Sequence, residues 1–84
     1  MDAEVAAAAA GDQAAWHTLV DRHAQEVWDI ARGFGLDTAA AAAICQLSWP
    51  RLVDHLDAVR THAEISAWLR AAVEREARSF RPTL

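Results

Sequence analysis

The chain has no lysine and no tyrosine, a single cysteine, three glycines and two prolines in 84 residues. One cysteine excludes an internal disulfide framework. Cys45 lies in an apolar run and reads as a small buried hydrophobe. Beta-branched residues are sparse and no segment alternates with period two, which argues against a sheet. No apolar stretch reaches the length of a membrane span. The start is acidic, and the alanine run Ala6–Ala10 is too short for a secretion signal and lacks a basic lead. A soluble, cytoplasmic protein is expected. With a net charge of −4, strong nonspecific binding to nucleic acid by the domain as a whole is not.

Most of what is present is helix-forming. Hydrophobic residues make up 54% of the chain, much of it alanine, the strongest helix former. At this length one domain at most, residues 1–84, is expected. The charge is uneven. Residues 1–42 carry two arginines against seven acids, a net −5, and residues 43–84 carry six arginines against five, a net +1. An anionic partner would therefore meet the C-terminal half.

Apolar spacing divides the chain into four helices, giving an all-α bundle of three long amphipathic helices and one short one. Residues 2–10 form the short helix, stopped at Gly11. Asp12 caps a long second helix whose stripe is Trp16, Leu19, Val20, His23, Val27, Ile30, Ala31 and Phe34. Gly33 and Gly35 end it. Asp37 or Thr38 caps a third helix with the stripe Ala42, Cys45, Trp49, Leu52, Val53, Leu56 and Val59. The stripe keeps phase across Pro50, so one kinked helix is read, with a break and a new cap at Ser48 as the alternative. After a polar connection, a fourth helix from about Ala63 to Ser79 carries Ile65, Trp68, Leu69, Ala72, Val73, Ala77 and Phe80. Arg81-Pro82 stops it.

Catalytic chemistry is hard to find. His17, His23, His55 and His62 have no metal-ligand spacing and read as isolated surface or boundary residues. The serines Ser48, Ser66 and Ser79 lack a nucleophile elbow, and there is no glycine-rich phosphate loop. No enzyme, no metal and no cofactor is expected. In the fourth helix Arg70, Glu74, Arg78 and Arg81 share an outward face, with Arg75 beside it. They can meet phosphates, or form a ladder that neutralises itself. The third helix is more unusual. With Cys45 at zero and about 100° per residue, Ala43, Ile44, Leu47 and Pro50 fall away from the first stripe. A second apolar face needs cover, either from the short first helix or from another molecule.

The order of these features resembles region 2 of the sigma-70 family of transcription factors, the extracytoplasmic-function group in particular. "AGDQAAWHTLVDRHAQEVWDIARGFG" resembles the family's opening helix, "AICQLSWPRLVDHLDAV" its central helix, and "AEISAWLRAAVEREARSF" its last. No one segment is highly specific, but their order and spacing together are fairly so. The resemblance implies an all-helical domain that docks on the clamp-helix coiled coil of the beta-prime subunit of RNA polymerase and captures the −10 promoter element. It implies a partner-binding surface at Ala43, Gln46, Leu47, Pro50, Arg51 and Asp54, and a DNA surface at Arg60, Thr61, His62, Arg70, Arg75 and Arg78.

The departures point elsewhere. Ala43 stands where the family has Asp, Leu47 where Glu is common, Pro50 where Leu is usual and Glu74 where Arg is usual. No counterpart of the −35-reading region is expected within these 84 residues. The expected polar contacts to polymerase become apolar, and the DNA surface loses a cation. Two readings stand: a polymerase- and −10-binding sigma domain, or a degenerate sigma-like module for protein–protein contact that has lost promoter reading. An anti-sigma or other regulatory protein, or a second copy of the chain in a homodimer, are the further partners implied. A membrane is not.

Overall fold

Each helix begins at a side chain that accepts from an otherwise unpaired N–H group. The structure, a computed structural model, describes residues 2–79. Asp2 Oδ1 accepts from the N–H groups of Glu4 (2.9 Å) and Val5 (3.2 Å), opening α1, Ala3–Ala9. Asp12 Oδ1 accepts from Ala15 N–H at 3.1 Å and opens α2, Gln13–Gly33. Asp37, rather than Thr38, caps α3, Thr38–His55, through Ala40 N–H at 2.8 Å. Thr61 Oγ1 accepts from Glu64 N–H at 3.1 Å ahead of α4, His62–Ser79, while the Glu64 carboxylate accepts from Arg60 N–H at 2.9 Å. This is close to a capping box. The two sharp reversals, after α1 and after α2, use Gly11 at φ 98° and Gly35 at φ 80°, a region that side chains other than glycine's adopt at a cost. Phe80, Arg81 and Pro82, expected at the end of the last helix, lie outside the described residues.

The architecture is an all-α bundle, as the spacing predicts. Its core runs from Val5 in α1 through Leu19, Val27 and Ala31 in α2, Ile44 and Leu52 in α3, to Ile65, Leu69 and Val73 in α4. The polar connection is shorter than the sequence suggests. A single 3-10 turn, Leu56–Ala58, continues α3, and Leu56 and Val59 are buried. The four tryptophans sit half-buried around the core, with Trp16 of α2 and Trp49 of α3 edge to face at 6.3 Å. α1 lies against α2 and the 3-10 turn, and α4 against both α2 and α3.

α3 passes unbroken through Pro50. Ser48 does not start a new helix. Its side chain is buried and donates to the carbonyl of Ile44 at 2.9 Å, which satisfies the hydroxyl inside the core. Pro50 is exposed. The Gln46 carbonyl, which loses its helical donor at Pro50, therefore faces the side open to water.

The third helix is rotated from its expected setting. Its buried residues are Ala40, Ala41, Ile44, Ser48 and Leu52. Cys45 and Trp49 only flank that face, Ala42 is half-buried, and Val53, placed in the core stripe by spacing, is 48% exposed. At about 100° per residue the true centre of burial lies roughly 70° from Cys45, on the Ile44 side. The reason is that α3 packs against two helices, α2 and α4, so its buried arc is wide and its centre follows both neighbours. Ile44, read as part of an outward apolar face, is therefore a core residue, 1% exposed. Phe34, placed on the core stripe of α2, is the converse case: it stands beyond the last helical turn and is 45% exposed.

Candidate functional site

With Ile44 removed from it, the outward face of α3 is well defined. Ala39, Ala43, Gln46, Leu47, Pro50, Val53 and Asp54 are all exposed, and at about 100° per residue they share an arc of about 120°. Leu47 is 49% exposed, and α1 does not hide it. Arg51 stands at the edge of this face and reaches across to Glu76 of α4 in an ion pair. Asp54 and Asp57 have no cation beside them among the described residues. Val53 also borders a surface hollow of about 370 Å³ between the α1–α2 turn and the end of α3, whose walls include Ala8, Gly11, Trp16 and Leu56. An apolar strip with an acidic margin and an adjoining hollow suits a protein surface. Of the six residues implied for partner binding, all are on or beside this face and all are exposed.

The residues implied for DNA do not converge in the same way. Thr61 is occupied as the cap of α4, and the Arg60 backbone is held at both ends: its N–H by Glu64, its carbonyl by Asp2 N–H at 2.9 Å. His62 is half-buried among α1 and α2 side chains. Arg70, Arg75 and Arg78 are exposed along α4. The expected ladder forms only in its second rung, Arg78 to Glu74 at 2.5 Å. Arg70 instead borders a hollow of about 300 Å³ with Asp29, Ile30, Gly33 and Phe34. Arg81 lies outside the described residues.

Spacing alone did not reveal a network of polar groups inside the bundle. His23 of α2 and His62 of α4 are not isolated. Their rings stack at 5.1 Å, and His23 Nε2 lies 2.9 Å from His62 Nδ1, so one proton bridges them. His62 Nε2 faces α1, at 3.1 Å from Glu4 Oε1 and 3.4 Å from Asp2 Oδ1. These are ion-pair distances, though neither is aligned as a hydrogen bond. Glu4 also pairs with Arg22 at 3.3 Å. On the other side, Ser66 donates to Glu26 Oε2 at 3.1 Å and approaches His23 Nδ1 at 3.5 Å, with Glu26 Oε1 at 3.9 Å from the same nitrogen. Desolvation pushes the His23 imidazole below its ordinary pKa. Glu26 pulls the other way, and the neighbouring His62 adds to the depression. The one available signal was that His23 falls on the apolar stripe of α2, where a polar side chain needs a partner.

The Ser66 hydroxyl donates its hydrogen bond to Glu26 from inside α4, where no backbone N–H is free to hold an oxyanion. No group of three His, Cys, Asp or Glu side chains among the described residues has the geometry to hold a metal ion. Cys45 is half-buried, and burial raises its thiol pKa, which leaves the thiol in its unreactive protonated form. His55 stacks on Trp68 at 5.4 Å. No helix among the described residues is long and apolar enough to cross a membrane. The class defined by this fold is a small all-α bundle with an open apolar face on its third helix. No protein-family model, curated protein or solved structure matches the chain.

Proposed function

We propose that the chain is a sigma region 2-like module that works by docking the outward face of α3 on another protein, with the clamp helices of the RNA polymerase beta-prime subunit as the partner that the resemblance points to. The observation that carries this is the exposure of Leu47, at 49%, and Val53, at 48%, on one face with Ala43 and Pro50. Apolar side chains grouped on the open side of a small bundle are stabilised by a partner that removes them from water, at about 25 cal/mol for each Å² covered. Where the family has acids at Ala43 and Leu47, this face offers apolar contact, with Asp54 at its margin.

Reading of the −10 element is the subordinate part of the proposal. Arg60, Arg70 and Arg75 supply exposed cations, but Thr61 and His62 are engaged within the bundle. That favours the second reading from the sequence, a module for protein contact whose promoter reading is weakened or lost. A regulatory protein or a second copy of the chain would compete for the same face.

The test is a pull-down with an isolated clamp-helix coiled coil. The wild-type chain is expected to be retained at micromolar concentration and Leu47→Arg, which removes the apolar contact without supplying the acid common in the family, lost. No retention of the wild type abandons the polymerase partner, and equal retention of Leu47→Arg places the contact on another face. Fluorescence anisotropy with single-stranded −10-like DNA gives the second arm. Binding that weakens with added salt would restore the arginines to a DNA role, whereas no signal at low salt assigns them to the solvated surface.

A further inference from the structure

We propose that His23 and His62 form a one-proton latch that fastens α1 and the first turn of α4 to α2, and that a second positive charge on the pair releases them. The inference is independent of the partner bound by α3. It rests on how four ring nitrogens are disposed. The two inner ones, His23 Nε2 and His62 Nδ1, face each other at 2.9 Å, a separation that holds one hydrogen and not two. The two outer ones face carboxylates: His62 Nε2 looks onto Glu4 and Asp2, and His23 Nδ1 onto Glu26 and Ser66.

The pair therefore accommodates three protons on its four nitrogens. With two, both rings are neutral. A third adds one positive charge, which can sit on an outer nitrogen beside a carboxylate while the inner hydrogen bond survives. A fourth must go onto the second inner nitrogen. Two N–H groups then point at each other across 2.9 Å, and two cationic rings stack at 5.1 Å. Arg22 adds a further positive charge nearby, while Glu4 and Glu26 oppose it. The charged groups acting on His23 come from α1, α2 and α4, and α3 contributes none of them. Burial of His23, 4% exposed, denies the second charge the water that would screen it.

The element that yields is α1. It has seven residues, too few for a helix to persist alone. Its ties to the rest are Val5 and Ala8 in the core, the Arg22–Glu4 pair, the Asp2 N–H bond to Arg60 and the contact of Glu4 and Asp2 with His62. Asp2 and Arg60 link α1 to the segment that leads into α4. Displacing His62 from His23 thus moves α1 with it.

The experiment uses the full chain. Backbone hydrogen exchange is followed by NMR from pH 7.5 to 4.5, corrected for the intrinsic pH dependence of exchange, alongside the ring-nitrogen shifts of both histidines. One ring is expected to charge while the α1 amides stay protected. Protection of Ala6 to Ala10 is then expected to fall about tenfold per pH unit as the second ring charges, because opening is linked to one proton, while the amides at the centres of α2 and α3 keep theirs. His62→Gln, which retains a hydrogen-bonding side chain but cannot supply the second charge, is expected to flatten the response of α1. The latch is overturned if both rings charge with α1 still protected, or if α1 opens while one ring is neutral. Those wild-type outcomes decide the matter even if the variant does not fold.

Discussion

Ile44 and Leu47 are three positions apart on one helix, yet one is a core residue at 1% exposure and the other stands half in water. Truncating them separates packing from docking. Ile44→Ala is expected to lower stability by about 2–5 kcal/mol, the cost of a buried cavity, and Leu47→Ala to change it by no more than about 0.5 kcal/mol. Urea denaturation measures both. Equal losses would mean that the outward face is internal packing. The sequence alone could not separate the two. Both are aliphatic, and their angular positions depend on where the centre of the buried face is set.

At the scale of the element, α3 is the unusual helix, since it carries a proline at its thirteenth residue without ending. Pro50 is exposed and costs the helix one hydrogen bond, so Pro50→Ala is expected to raise stability by about 1–3 kcal/mol, visible as a higher melting temperature. No gain would mean that Pro50 costs α3 little where it stands. Thr61 gives the corresponding test on α4. As an N-cap its replacement, Thr61→Ala, is expected to cost about 1 kcal/mol with no effect on DNA binding. A loss of DNA affinity at unchanged stability would return Thr61 to the nucleic-acid surface. The continuity of α3 was legible in the phase of its apolar positions across Pro50. The caps at Asp12 and Asp37 were legible in residue type, because a short oxygen-bearing side chain before an apolar run is what the unpaired N–H groups require.

For the whole molecule, pH acts through groups whose environment changes on folding. The His23 pKa lies below its ordinary 6.5 in the folded chain, mainly through burial, so the unfolded state takes up the proton first. Stability is then full above about pH 6.5 and declines as pH falls toward the depressed value, with a slope of at most about 1.4 kcal/mol per pH unit for one proton. His23→Gln is expected to remove that decline in thermal melts recorded from pH 7.5 to 5. Asp2 acts in a lower range. Hydrogen bonds from Val5 and Glu4 hold its carboxyl below the ordinary 3.8, so its support for α1 is present above that value and is lost as pH falls through the depressed one.

The sequence by itself determined the class of fold, the number of helices, the caps of the second and third, the glycine stops, and the charge difference between the halves. These follow from local rules: backbone propensity, the need to cap free N–H groups and the period of apolar residues. Only the tertiary structure decided which side of α3 faces inward, that Val53 and Phe34 stand in water, and that His23 and His62 meet across 39 residues of chain. The rotation of a helix is set by all the neighbours that pack on it at once, and a pair of side chains from distant segments is brought together only by that packing.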